Sequence, residues 1–212
     1  MASLVAQREP WLERFLDCLG KLDYPEDSIR HAFLEGTKTP LLHEWAKQNT
    51  WIEESNAQIS DRLERLAYLR NLLVDKALKD EDYILWIDSD VVDFPASLIT
   101  DLKRHNAHVV APGVWIEGTE QFYDTFAFRD IYGQRVPAFN LPYKGFVEMG
   151  SVGTCYLVNA AVYRKLGVRY SGGDSEQVTF CSEIRRLGQK VYADFDVRVL
   201  HANLPNYGVA FH

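Results

Sequence analysis

The sequence predicts an α/β protein with one mostly parallel central sheet that is flanked by helices. First, short apolar runs alternate with stretches of helical periodicity, the pattern of strand–helix–strand units. Second, residues 83–87 (YILWI) form an apolar run rich in β-branched and aromatic residues, typical of a strand buried on both faces. Third, this run ends abruptly at Asp88, Ser89 and Asp90, and ligands of open α/β sheets bind at the carboxyl ends of strands.

The first half of the chain supplies most of the predicted parallel strands. Strands are predicted at residues 3–6, 28–35, 50–54, 83–87 and 107–111, and helices from Pro10 onward and at residues 41–48, 60–78 and 95–105. The helix at residues 60–78 has an apolar stripe, and its polar face carries Arg62, Arg65 and Arg70. Taken alone, such a face is typical of a solvated helix surface.

The pattern changes after Pro112, where glycines, prolines and aromatic residues follow one another without a clear period up to residue 145. Such a stretch suits either a substrate-facing loop or simple core filling. A strand at 155–158, a helix at 160–166, a loop at 170–176, a helix at 178–187 and a strand at 190–200 follow. We expect one domain over residues 1–212, with the change in pattern dividing it into residues 1–111 and 112–212. The aromatic and aliphatic residues 207–211 at the end also fit a domain excised from a longer protein.

Composition limits the classes of function. The chain has 212 residues, 47% of them hydrophobic, and its net charge of -7 disfavours nucleic acid as a partner. Three cysteines without a CxxC pair indicate free thiols in a reducing compartment. Because neither a membrane span nor a signal peptide is evident, we expect a soluble, cytoplasmic chain. A Golgi location would require an anchor from a longer parent protein.

The acidic turn after the buried strand is the strongest chemical signal. Two carboxylates one residue apart at a sheet edge can share a hard divalent cation, especially one that also carries phosphate oxygens. The alternative is that Asp88 caps the next helix and Asp90 is solvated, but a cap rarely needs two acids behind so apolar a strand.

The ordered motifs carry a family resemblance. The chain has DSD at 88–90, GSVGTCYLV at 150–158, GGDSEQVTFCSEIRRLGQKVY at 172–192 and a late strand that ends at His201. This order resembles GT-A glycosyltransferases, which use nucleotide-diphosphate sugars and a Mn²⁺ or Mg²⁺ ion held by an Asp-x-Asp motif. Through LRNLL (69–73), DSD and RRLG (185–188), the chain most resembles the fungal mannan-polymerase mannosyltransferases. It is also similar to a chlorovirus capsid-glycan glycosyltransferase domain.

The resemblance implies a nucleotide-binding half (1–111), a donor-sugar and acceptor half (112–212), and roles for individual residues. It implies Asp88, Asp90 and His201 as metal ligands, Ala6, Glu35, Arg70, Asn71, Asp88 and Ser89 around the nucleotide, and Gly153, Thr154 and Trp115 beside the donor sugar or acceptor.

The catalytic acid is less defined by the resemblance. Many inverting members have Glu-Asp-x-x-Phe-Cys, with the aspartate as base, but here that position is Gln177, whose amide cannot accept the proton. Either Glu176, which we favour from its register, or Asp174 supplies the carboxylate, or the enzyme is retaining. The alternative is a purely structural role, in which both acids only cap the following helix.

The predicted function is therefore transfer of a hexose from a nucleotide-diphosphate sugar to a hydroxyl of a glycan or glycoprotein. A UDP-sugar is favoured over a GDP-sugar, and Mn²⁺ or Mg²⁺ is the expected cofactor. One alternative is a haloacid-dehalogenase-like phosphatase with Asp88 as nucleophile, although those enzymes carry that residue on their first strand. The other is a sugar-nucleotide-binding module without catalysis.

Overall fold

The computed structural model describes residues 1–5, 11–36, 38–55 and 57–203. Within these residues one nine-stranded sheet forms the centre of the molecule. The strands are β1 (Ala2–Val5), β2 (His31–Glu35), β3 (Thr50–Glu54), β4 (Tyr83–Ile87), β5 (Val91–Asp93), β6 (Val109–Ile116), β7 (Phe146–Met149), β8 (Cys155–Asn159) and β9 (Val191–His201). The helices are α1 (Leu12–Gly20), α2 (Pro40–Trp45), α3 (Arg62–Ala77), α4 (Leu98–Lys103), α5 (Ala161–Arg164) and α6 (Glu176–Arg186), with a 3-10 turn at Glu26–Ser28.

The sheet order is β3-β2-β1-β4-β8-β6-β9-β5, with β7 also beside β9. Strands β1 to β4, β6 and β9 run in one direction, because β8 is antiparallel to both β4 and β6. The predicted α/β fold with a mostly parallel sheet is confirmed. Strand β8 of the second half is inserted between β4 and β6, so both halves of the chain share one sheet.

Strand β4 lies in the middle of this sheet, between β1 and β8, as its apolar sequence predicts. Trp86 is completely buried, and its indole N–H donates to the Tyr163 hydroxyl at 2.9 Å. Asp88 comes directly after the end of β4, so a carboxylate is placed at the edge of a dry core.

Two differences from the predicted elements affect the site. Arg70 was expected on the solvent face of the long helix, but that prediction is wrong: Arg70 is 3% exposed and lies on the buried face with Leu73 and Val74. Its charge is tolerated there because carboxylates meet it. Helix α6 begins at Glu176 and not at residue 178, because the Ser175 side chain caps it by accepting from the backbone N–H groups of Gln177 and Val178.

The irregular region after β6 contains both kinds of aromatic residue that the sequence left open. Phe122 and Phe128 are buried in the core, whereas Phe126, Tyr132 and Phe139 are exposed. All three cysteines are free thiols, as predicted. Ala6, Pro10 and residues 207–211 lie outside the described residues. Across the described part of the chain, no helix is both long and apolar enough to cross a membrane.

Candidate functional site

The predicted acids lie at one edge of the sheet, where β4 and β9 end and β8 begins. The Asp88 N–H donates to the Thr154 carbonyl at 2.9 Å, just before β8. The Ala202 N–H, just after β9, donates to the Asp90 carbonyl at 2.8 Å. Main-chain hydrogen bonds therefore fasten the acidic turn to both neighbouring strands and leave its side chains available for other contacts.

Asp90 and His201 form a close pair at this edge. The imidazole Nε2 lies 2.9 Å from Asp90 Oδ2, and Nδ1 lies 2.8 Å from the Ala202 carbonyl oxygen. Because a carbonyl can only accept, Nδ1 must carry the proton. Although Nε2 and Oδ2 are in ion-pair contact, Nε2 and Asp90 Oδ1 are buried without a hydrogen-bond partner among the described residues. A neutral imidazole would turn its lone pair towards a carboxylate, so the contact is favourable only with a cation, either a proton between the two atoms or a metal ion that both atoms bind.

A proton or a metal ion could be that cation. Burial disfavours the charged imidazole, but the Asp90 carboxylate outweighs it and raises the pKa of His201 above its ordinary value. Imidazole nitrogen and carboxylate oxygen are also ligands for Mn²⁺, and a metal-binding histidine usually donates its other N–H to a group such as a carbonyl. Nowhere in the described chain do three or more His, Cys, Asp or Glu side chains converge as a ligand set. The residues therefore fit an ion that takes two protein ligands here and its remaining ligands from substrate oxygens or water.

Arg70 is the central cation of the site. Its Nε donates to Glu176 Oε1 and its Nη2 to Asp88 Oδ1, both at 3.2 Å. Its guanidinium carbon lies 5.0 Å from the Trp86 ring centroid, and its Nη1 is buried without a hydrogen-bond partner among the described residues. A buried N–H group that is unpaired is costly, so Nη1 requires an acceptor, which either a buried water molecule or a ligand could supply.

Asp88 has an unusual acidity for an aspartate. Burial raises its pKa to about 7, with the Asp90 and Glu176 carboxylates acting in the same direction and Arg70 opposing them. Its side chain nevertheless keeps 33% exposure, so one side of the carboxylate faces the open edge of the sheet. Of the three predicted metal ligands, Asp88 contacts Arg70, whereas Asp90 and His201 contact each other.

The two candidate catalytic acids face different surroundings. Glu176 is 2% exposed at the start of α6 and contacts Arg70, whereas Asp174 is exposed in the preceding loop. Gln177, at the position where the resemblance would place a catalytic aspartate, belongs to the helix cap: its Oε1 accepts from the Ser175 hydroxyl at 2.7 Å.

Two predicted nucleotide contacts tie parts of the fold together. The Ser89 hydroxyl donates to the Leu4 carbonyl at 3.0 Å, which links the acidic turn to β1. The Asn71 side chain donates to the Tyr170 carbonyl at 2.8 Å and accepts from its N–H at 2.9 Å. Each side chain has a structural partner, and each stays a predicted nucleotide contact.

Glu35 and Trp115 lie further from the acidic turn. Glu35, at the end of β2, is 2% exposed and accepts from the Thr39 N–H at 2.8 Å, with His43 Nε2 at 2.6 Å. Trp115 packs edge-on against Phe122 and carries the Arg198 guanidinium 4.6 Å from its ring centroid. The structure therefore groups Trp115 with these residues, whereas the acids lie with Arg70 and His201.

Asp124 is a site residue that the sequence analysis missed. It is buried, and its Oδ2 accepts from the Thr154 hydroxyl at 2.7 Å. Thr154 has φ of 55°, a left-handed conformation that is strained for a β-branched residue. A Cβ at Gly153 would lie 2.6 Å from Asp124 Oδ2 and 2.5 Å from Ala127 Cβ, so close packing also requires this glycine.

Tyr123 is the second residue that was missed. Its ring stacks on the His201 imidazole, with centroids 3.5 Å apart and planes 14° from parallel. The signal in the sequence was an acid inside an aromatic run, FYDTF at 122–126, in the region that showed no periodicity.

Comparison with known proteins gives matches to the mannan-polymerase family. Residues 43–135 match the family model Anp1. The mannan polymerase complex subunit mnn9 of Schizosaccharomyces pombe is 43% identical over 51 residues, which are 24% of this chain and 15% of the relative. The Candida albicans subunit MNN9 is 40% identical over 55 residues, 26% of this chain and 15% of that protein.

A longer but weaker match is to procollagen-lysine,2-oxoglutarate 5-dioxygenase of Drosophila melanogaster, which is 24% identical over 217 residues. It covers 91% of this chain and 28% of the relative. The chain thus spans less than a third of the length of these curated relatives.

Solved structures of GT-A glycosyltransferases share the fold. S. aureus TarS 1-349 superposes with a TM-score of 0.65 at 12% identity, covering 95% of this chain and 60% of that chain. GalNAc-T7, solved with UDP, GalNAc and Mn²⁺, gives a TM-score of 0.65 at 16% identity, covering 96% of this chain and 44% of that chain. The predicted GT-A fold and the resemblance to the mannan-polymerase family are confirmed. The chlorovirus resemblance stays a prediction.

Proposed function

We propose that this protein is a metal-dependent glycosyltransferase that moves a hexose from a nucleotide-diphosphate sugar to a hydroxyl of a glycan or glycoprotein. The observation that carries the proposal is the pair of His201 Nε2 and Asp90 Oδ2, 2.9 Å apart at the edge of the sheet, because imidazole nitrogen and carboxylate oxygen can bind one Mn²⁺ ion together. A diphosphate is the substrate group that such a cation would hold and neutralise as it leaves.

Asp90 and His201 would hold the ion, with Asp88 beside them on metal-bound water or ribose. When bound, the ion would neutralise charge that develops on the leaving diphosphate. The chain itself would add the Arg70 guanidinium, whose unpaired Nη1 is a donor for an anionic oxygen. Glu176 and Asp88 fix the direction of that guanidinium through its other nitrogens.

UDP is the favoured nucleotide of the donor. This preference is supported by two similar structures of S. aureus TarS 1-349, which were solved in complex with UDP-GlcNAc and with UDP. We propose Ala6, Glu35, Asn71 and Ser89 as its surroundings, and Gly153, Thr154 and Trp115 as residues on the side of the donor sugar and acceptor.

A thermal-shift panel of UDP, GDP, CDP and TDP with Mn²⁺ tests this proposal. We expect one nucleotide to stabilise the protein with Mn²⁺ and to lose most of that effect in EDTA. Asp90→Ala should lose it as well, whereas Asp93→Ala should not, because Asp93 is an exposed acid just beyond the turn. Equal stabilisation with and without metal would refute the metal assignment.

The loop acids require a separate experiment, with sugar transfer as the readout. We propose that Glu176 or Asp174 touches the reacting sugars, with Glu176 preferred. Losing a general base typically lowers turnover by 10²–10⁴-fold. We expect that loss in Glu176→Gln, with metal-dependent nucleotide binding retained. If Asp174→Asn loses transfer and Glu176→Gln does not, the exposed acid is the catalytic one. If neither does, both acids serve the helix start only.

The two alternative functions predict different products. A phosphatase would release inorganic phosphate from a simple phosphoester such as p-nitrophenyl phosphate, and a binding module would release nothing. A glycosyltransferase with Mn²⁺ would release nucleoside diphosphate from its donor. The contact of Asp88 with Arg70, and its place after the fourth strand, argue against Asp88 as a phosphatase nucleophile.

A further inference from the structure

The sheet edge has a nucleotide side and a far side. Strands β2, β1 and β4 end on one side, where Glu35 and Asp88 lie. Beyond them, β8 begins and β6 and β9 end, so His201 lies on the far side. If the nucleotide lies over the first group and its diphosphate at Asp90, the sugars must lie over the second group.

Tyr123 presents an aromatic face on this far side. One face of its ring covers His201, which is completely buried, with centroids 3.5 Å apart. The residue as a whole is 37% exposed. Since the stacked face is covered, the ring can be exposed only on its opposite face and along its edges.

The ring is held in place before any ligand binds. The Tyr123 N–H donates to the Val114 carbonyl at 2.9 Å, and the Phe122 N–H to the Ala138 carbonyl at 2.8 Å. The next residue, Asp124, is fixed by Thr154 at 2.7 Å and by the Ala127 N–H at 3.0 Å. A preordered surface loses little conformational entropy on binding, which favours its use as a binding platform.

We propose that the exposed face of Tyr123 is the platform on which the apolar C–H face of a pyranose ring stacks. The inference rests on the proposed function and adds the residue that would recognise the sugar. A tyrosine ring offers a large apolar face with a polar tip, which matches a ring whose face is C–H and whose rim is hydroxyl. Stacked rings at van der Waals contact are ~3.5–4 Å apart, so the sugar would be ~7 Å from the imidazole. That distance is within reach of a sugar joined to a diphosphate at Asp90.

The pyranose could come from the donor or from the acceptor, and binding and kinetics together separate the two. Affinities are measured by calorimetry with Mn²⁺ for UDP, GDP, UDP-glucose, UDP-galactose, UDP-GlcNAc and GDP-mannose. The variants are Tyr123→Phe, which keeps the ring, and Tyr123→Leu, which removes it. Tyr132→Leu is the matched control, because Tyr132 is 82% exposed on the same segment.

If the donor sugar stacks on Tyr123, Tyr123→Leu should lower the affinity for the best-binding nucleotide sugar about tenfold and leave the affinity for the nucleoside diphosphate unchanged. If the acceptor stacks there, donor binding and hydrolysis should persist while KM for a glycoside acceptor rises about tenfold. In both cases Tyr132→Leu should behave as wild type, and Tyr123→Phe, which keeps the ring face, should retain most of the affinity that Tyr123→Leu loses. Retained binding of the nucleoside diphosphate also shows that the variant is folded.

Two results would overturn the platform. One is an equal loss for nucleoside diphosphate and nucleotide sugar in Tyr123→Leu, which would make Tyr123 only a support for His201. The other is no change in any of these quantities. If the wild type binds no nucleotide with Mn²⁺, the proposed function fails, and saturation-transfer NMR with methyl glucoside, galactoside and mannoside then tests the platform alone. A wild-type signal lost in Tyr123→Leu supports it, and no wild-type signal refutes it.

Discussion

Replacing Arg70 by methionine should be among the most destabilising single changes in this protein. The guanidinium is 3% exposed and pairs with Glu176, whose side chain is also 3% exposed. Methionine keeps much of the apolar volume against Trp86 and Tyr170 but leaves the Glu176 carboxylate buried without its cation. Breaking a buried pair in this way typically costs ~3–5 kcal/mol. The contact with Asp88 adds little to that figure, because Asp88 is 33% exposed and water screens it.

Urea unfolding followed by circular dichroism measures this cost. For a chain whose stability is about 5–15 kcal/mol, the expected loss is a large fraction of the total, and the slope of the transition should not change. The double variant Arg70→Met/Glu176→Gln should be more stable than Arg70→Met, because a neutral amide is less costly to bury than an unpaired charge. The pair then has a coupling energy of roughly 2 kcal/mol in a double-mutant cycle.

The exposed pair Arg186–Glu183 on α6 is the matched control. Its side chains are 68% and 40% exposed, so Arg186→Met should leave the unfolding midpoint unchanged. The reasoning is refuted if Arg70→Met costs less than ~1 kcal/mol, or if the two single changes at Arg70 and Glu176 simply add.

Two further predictions concern the stability of other parts of the fold. Burial lowers the pKa of His31 to about 3, so between pH 6.5 and 3 the unfolded chain binds more protons and stability falls as the pH falls. In His31→Phe, the decrease in unfolding free energy from pH 7 to pH 4 should be smaller than in wild type by roughly 3 kcal/mol. The same decrease in both proteins would contradict this. Gly153→Ala should cost ~1–3 kcal/mol, because the new Cβ would overlap Asp124 and Ala127. Gly20→Ala, with no atom within 4 Å of its Cβ, should not be destabilising by thermal unfolding, and a similar loss in both variants would contradict the packing argument.

The parts of the fold that follow from local patterns were predictable. Five consecutive apolar residues predict strand β4, and both β3 and β4 begin and end at the predicted residues. The acidic turn after β4 was predictable for the same reason, because a carboxylate behind a buried strand marks a sheet edge. Strand β5 was not separated from β4, since three residues carry too little periodicity to define a strand.

The parts that depend on tertiary contacts were not predictable from local patterns. Helical periodicity placed Arg70 on the solvent side, because a pattern of apolar residues gives no information about which carboxylates face the helix. Ser175, Tyr123 and Asp124 act through partners that are adjacent in space: Gln177, His201 and Thr154. Of these, only the first pair is close in the sequence, so only the helix cap could have been found from spacing.

The connections of the acidic turn separate stability from ligand binding. The turn is held to β8 and β9 by backbone groups of Asp88 and Asp90 and to β1 by the Ser89 hydroxyl, so the Asp90 carboxylate is not needed to hold it. Removing that carboxylate also removes its unpaired Oδ1, and the His201 imidazole keeps its hydrogen bond to Ala202. Arg70, in contrast, is needed for stability, because its charge neutralises the buried Glu176 carboxylate. We therefore expect Asp90→Ala to lose metal-dependent nucleotide binding at nearly full stability, whereas Arg70→Met loses stability first. If urea unfolding shows Asp90→Ala to be as unstable as Arg70→Met, the carboxylate is part of the fold and not a free ligand.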